Sequence, residues 1–220
     1  MYKIENSIKN SYFRANFLGS ENLKTKSLLA IEVVSAAFAY KMLNEIVENS
    51  WLEIVEISSG SNAKNLLIFQ SNDFQKIRIL KQRIEDKYGQ PTRRIFEVFS
   101  PQLFDLCLVK DLHPDILPAL VALVQNPIEE GLVIFEAESV CASISALQTA
   151  LKTYALKTCD LRLFRQSGGM NHLFLTGTIK NCEEAAAALK QQILANYLVG
   201  HVELVANPSS KLREHFSLSK

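Results

Sequence analysis

Residues 28–47, LLAIEVVSAAFAYKMLNEIV, return in altered form as residues 132–151, LVIFEAESVCASISALQTAL. At an offset of 104, Glu32 matches Glu136, Leu28 matches Leu132, Ser35 matches Ser139 and Leu43 matches Leu147. LLIF at 66–69 answers LFLT at 173–176 at an offset of 107, and LKQRI at 80–84 answers LKQQI at 189–193 at 109. The offset grows as if one copy had gained a few loop residues. A period near 100 residues is too long for a solenoid and reads as a duplicated domain.

Each copy carries the same order of signals. An apolar strand ends in Glu32 or Glu136, and a serine, Ser35 or Ser139, is placed to cap a helix. Apolar residues then recur at three- and four-residue steps, which predicts an amphipathic helix with Leu43 and Leu147 on its buried side. Two strands joined by a Ser/Gly loop follow, SSGSNAKN at 58–65 and QSGGMNH at 166–172, and then a second helix. In copy one that helix starts at the N-cap Asp73 and ends near Gly89. A last strand near 106–109 or 202–205 completes a split βαβ plan. The expected class is α+β: two tandem ferredoxin-like domains, each an antiparallel sheet with helices on one face.

Composition narrows the function. The chain has 220 residues, 48% hydrophobic, enough for two cores of about 100 residues. A net charge of +1 argues against nucleic acid, which wants a basic stripe. No apolar run reaches the roughly 18 residues that span a bilayer, and the N-terminus has no signal-peptide core, so a cytoplasmic location is expected. Cys107, Cys141, Cys159 and Cys182 never form CxxC and read as small buried hydrophobes.

In chain order, residues 1–26 form a polar extension, 27–126 the first domain and 127–220 the second, with Asn126-Pro127 as the junction. RRIFEVFSPQLFDLCLV at 93–109 has no counterpart of equal length in copy two; it is a longer connection or an extra strand pair.

This order of motifs, given twice over residues 28–120 and 131–216, resembles the bacterial microcompartment shell domain in its tandem form. The segment HPDILPAL at 113–120 resembles the junction between the two domains of such a protein. The resemblance implies a homotrimer that imitates a hexameric tile and meets other shell proteins at its edges. It also implies a central pore lined by the loops between second and third strands. Those loops supply Ser58, Ser59, Gly60, Ser61, Asn62, Lys64 and Asn65 in one copy. The other copy supplies Ser167, Gly168, Gly169, Met170, Asn171 and His172. Small uncharged donors and acceptors would pass small polar metabolites, with Lys64 favouring anions if it points inward.

Two departures from the family pattern stand out. The family's edge lysine falls on Lys152 in copy two but on Glu48 in copy one, which favours mixed over self tiling. Neither pore loop holds cysteine, so no iron–sulfur cluster is expected, since iron there needs thiolate ligands.

No catalytic constellation is visible, and the chain does not read as an enzyme. Glycines 60, 168 and 169 fit no phosphate-binding motif and suit a tight hairpin. The four histidines have no metal-ligand spacing, so no metal and no cofactor are expected. His172 would be repeated three times about a trimer axis. A cytoplasmic small-molecule sensor built from two ferredoxin-like domains is the alternative reading.

Overall fold

A computed structural model describes residues 26–47, 53–59, 64–93, 102–120, 124, 126–163, 170–196 and 198–218 of the chain. It divides into two compact units that part between Pro114 and Asp115, ahead of the junction expected at Asn126-Pro127.

The first unit runs β1 (Ser27–Val34), α1 (Ala36–Val47), β2 (Glu53–Ser59), β3 (Lys64–Ser71), α2 (Phe74–Tyr88) and β4 (Gln102–Lys110). Its sheet order is β2-β3-β1-β4, every neighbour antiparallel. The second unit begins with a short helix, α3 (Ile116–Leu120), which packs on β6 and α4. It continues β5 (Gly131–Ala137), α4 (Val140–Thr153), β6 (Lys157–Arg162), β7 (Asn171–Gly177), α5 (Ile179–Ala195), β8 (Gly200–Ala206) and α6 (Ser210–Leu218). The sheet order β6-β7-β5-β8 repeats the first unit's order. Both units are therefore α+β split-βαβ folds, as the sequence predicts.

The central strand β1 is buried on both faces, and its alternate residues serve different sides. Leu29, Ile31 and Val33 of β1 pack against Phe38, Met42 and Ile46 of α1 and Ile77 and Ile84 of α2. Those helical positions step by four or seven residues, which places them on one face. In β5 the two faces are used differently. A methyl added at Gly131 would meet Cys182 of α5, so that parity faces the crossover helices. Leu132, Ile134 and Phe174 lie on the opposite face, against Leu212 and Phe216 of α6. Helices thus cover both faces of the second sheet, where one covered face was expected: the closing helix has its own apolar stripe to bury.

The cores of the two first helices also differ. Leu147 is fully buried, but its counterpart Leu43 is only partly so. In α1 the stripe toward the sheet is filled by Phe38, Met42 and Ile46. The matching positions of α4 hold Ala142, Ala146 and Ala150, and these small side chains leave room to enclose Ile144, Leu147 and Leu151.

The caps are as expected, with one strained case. Asp73 accepts hydrogen bonds from the Gln75 and Lys76 amides at 3.0 and 3.4 Å. Ser139 caps from the extended region, its hydroxyl accepting from the Ala142 amide at 3.0 Å. Ser35 accepts from the Phe38 amide at 3.4 Å but has φ 85, a left-handed conformation costly for a residue with a Cβ.

The duplication does not drift steadily. Ala30 pairs with Ile68 and Ile134 with Phe174, so β7 follows β3 at 106, one residue less than the letter match at LLIF. The caps Asp73 and Thr178 put the second helices at 105, matching buried Ile77 to Cys182 and Ile84 to Leu189. The LKQRI–LKQQI match at 109 is one helical turn out of place. Leu28 pairs with Val109 and Leu132 with Val205, so the last strands stand at 96. The extra residues of copy one lie between α2 and β4, where the Thr92 and Arg93 amides donate to the Leu103 and Phe104 carbonyls. That part of the insertion runs beside β4 as an additional, short pairing.

Cys141, Cys159 and Cys182 are buried and Cys107 half-buried, all as free thiols. Burial pushes the thiol of Cys159 up to about 12 and that of Cys182 up to about 11. Desolvation is the largest cause at both sulfurs, so both stay protonated, and poorly nucleophilic, near neutral pH. The folded values lie above the ordinary thiol value of 9.0, so the folded chain holds protons that the unfolded chain releases. Their contribution to stability is complete below about pH 9 and is lost as pH rises through about 11 to 12. Iodoacetamide at about pH 8, where the unfolded thiols begin to ionise, should leave Cys159 and Cys182 of the native chain unmodified and label both in urea. Rapid native labelling of either, read by mass spectrometry, would contradict this.

Candidate functional site

The polar residues that the sequence assigns to loops are partly strand residues. Ser58 and Ser59 end β2 in register with Leu66 and Asn65, and Lys64, Asn171 and His172 open β3 and β7. The ladder continues to these positions because strand pairing needs only backbone groups, whatever the side chain. Gly60, Ser61 and Asn62, together with Ser167, Gly168 and Gly169, lie outside the described residues. Met170 is half-buried just ahead of β7.

Lys64 does not offer its charge at the loop. It is buried, with Nζ 4.4 Å from the centre of the Phe104 ring, a cation–π contact that holds the ammonium against the first unit. Asn171 is buried too, and its amide donates to the carbonyls of Ala137 at 3.0 Å and Glu138 at 3.2 Å. It ties the start of β7 to the end of β5.

His172 belongs to a polar row that crosses the whole second sheet. Arg162, His172, Glu136 and His201 stand directly opposite one another on β6, β7, β5 and β8. Residues paired in this way project from the same face. The His172 Nε2 lies 3.3 Å from Glu136 Oε1, and the His201 Nε2 lies 2.7 Å from Glu203 Oε1. Arg162 sits at the end of the row, its Nε 2.6 Å from Asp160 and its guanidinium over the rings of Phe174 and Phe216. The same row in the first unit holds Ser58, Leu66, Glu32 and Asp105. Glu32 is buried, and Asp105 is held by Arg93 at 2.9 Å and by the Leu106 amide at 2.8 Å. The two units thus share a glutamate and differ in everything beside it.

His201 and Arg162 carry no local sequence signal. They join His172 and Glu136 only through strand register, which motif spacing does not encode. Lys152 is exposed in the last turn of α4, where a cation also complements the helix dipole. Glu48, its counterpart in copy one, lies outside the described residues.

No protein-family model matches the chain, and no curated protein matches its sequence. Solved structures do match. A microcompartments protein from Desulfitobacterium hafniense DCB aligns with 86% of this chain and 99% of its own, with a TM-score of 0.69 at 19% identity. A double-ringed trimeric shell protein from the RMM microcompartment aligns with 76% of this chain and 81% of its own, with a TM-score of 0.53 at 13% identity. The fold is that of microcompartment shell proteins, with the four-stranded unit carried twice in one chain. None of the described helices is long and apolar enough to cross a membrane.

Proposed function

We propose that the chain is a structural shell protein of a bacterial microcompartment in the cytoplasm, with no catalytic role of its own. Three chains, each with two similar units, form a pseudohexameric tile with a central pore for small polar metabolites, and the tile co-assembles with other shell proteins. The observation that carries this reading is the full-length match to the Desulfitobacterium hafniense protein: 99% of that chain is covered, both units included. The charge withdrawn at Lys64 leaves uncharged serine and asparagine positions as the main candidates for lining the pore.

The experiment is a mass measurement in solution together with electron microscopy. Three copies of the 24.7 kDa chain give about 74 kDa. Flat hexagonal particles of that mass are expected. Discrete dimers that never tile would favour the ligand-binding sensor instead. A lysine edge works because the long stem lies flat and the ammonium donates to a neighbour's carbonyls. Lys152→Ala should therefore remove sheets formed with other shell proteins and leave the trimer intact. Glu48→Lys should promote sheets of this protein alone. Sheets that survive Lys152→Ala would place the tile edge elsewhere.

A further inference from the structure

We propose that His172, Glu136 and His201, with Glu203 beside them, form a binding site for a first-row divalent cation, zinc being the best match. The three central residues come from three adjacent strands in direct register. Neighbouring strands lie about 4.8 Å apart, so an ion above Glu136 is within reach of an imidazole from either side.

One distance already suits such an ion, and His201 and Glu203 turn to complete the shell. Zinc holds nitrogen and carboxylate oxygen at about 2.0–2.2 Å, which in a tetrahedral shell puts adjacent donors roughly 3.3 Å apart. The His172 Nε2 and Glu136 Oε1 are 3.3 Å apart. His201 now turns its Nε2 to Glu203, two residues along the same strand and on the same face. The side chains of His201 and Glu203 are 62% and 59% exposed, so turning either onto an ion over Glu136 displaces no packed neighbour.

Charge and ligand type agree. Two carboxylates balance a divalent ion, and imidazole with carboxylate selects zinc-like metals over magnesium and calcium. Arg162, beside His172 in the row, is drawn off by Asp160 and by the rings of Phe174 and Phe216. All four residues belong to one unit of one chain, so the proposal does not rest on the shell reading.

The test is calorimetric titration of zinc into the full-length chain after removal of metal by a chelator. One zinc per chain is expected. Loss of an outer-shell partner alone costs roughly 10–100-fold in metal affinity, so His172→Ala and His201→Ala should each weaken binding at least about tenfold. His113→Ala, in the first unit, should change nothing. Zinc should raise the melting temperature of the unmodified chain distinctly more than that of the His201→Ala variant. Without metal those two proteins should melt together, because His201 is exposed. Absence of binding, or binding indifferent to His201→Ala, would overturn the proposal. So would one zinc per three chains that needs His172 alone, which would put the ion on a trimer axis.

Discussion

Leu147→Ala is expected to destabilise the second unit by about 2–5 kcal/mol, and Met42→Ala the first unit by a similar amount. Both side chains are fully buried, so each substitution loses its transfer free energy and leaves a cavity that close-packed surroundings fill only in part. Leu43→Ala should cost distinctly less, because Leu43 borders the same cluster while part of its surface already meets water. Sequence alignment makes Leu43 and Leu147 equivalents, so equal losses at the two would mean that α1 is rotated from the face described. The measurement is hydrogen exchange within each sheet, which reports on the two units separately where one melting curve would merge them.

That contrast shows where the sequence is legible. The order of strands and helices could be read because each element announces itself locally: the apolar run of β1, the Asp73 cap, the Gly89 stop. The duplication could be read because Glu32–Glu136 and Ser35–Ser139 keep one offset through a strand and a cap. Beyond that point letters mislead. The LKQRI–LKQQI match is composed of good helix formers that recur at many positions, while burial aligns Ile77 with Cys182, which share no letter. The depth of Leu43 was hidden for a related reason: Phe38, Met42 and Ile46 hold the buried face of the helix, and Leu43 lies at its border.

The polar row was invisible for a physical reason. Its members lie at 136, 162, 172 and 201, and what joins them is cross-strand register. Register is set by the turns and by which face is buried, so one histidine in a loop-like stretch could be flagged while its partners could not. Lys64 shows the converse. A lysine beside a Ser/Gly loop reads as an exposed charge, yet an aromatic ring on β4 gives its ammonium a buried seat.

Gly200→Ala is expected to be the most damaging single methyl added near that row. A Cβ at Gly200 would stand 2.3 Å from the carbonyl oxygen of Glu136 and 3.3 Å from both the Ala137 Cα and the Ile193 Cδ1. The first of these is backbone, so no rotamer relieves it, and the start of β8 must move away from β5. Overpacking of this kind costs about 1–3 kcal/mol. Gly89→Ala is the control, since a Cβ there meets nothing within 4 Å and the penalty comes only from φ +83. With ψ 179 this is a mirror-image extended conformation that side chains avoid, so the substitution should cost about 1–3 kcal/mol. The two variants differ in where the damage falls. Gly200→Ala should speed amide exchange along the pairing of Glu136 with His201, whereas Gly89→Ala should loosen only the end of α2. Because β8 carries His201, Gly200→Ala should also pull that imidazole out of line with Glu136 without altering either side chain. Unchanged exchange at the β5–β8 pairing in Gly200→Ala would show that the strands stand further apart than described.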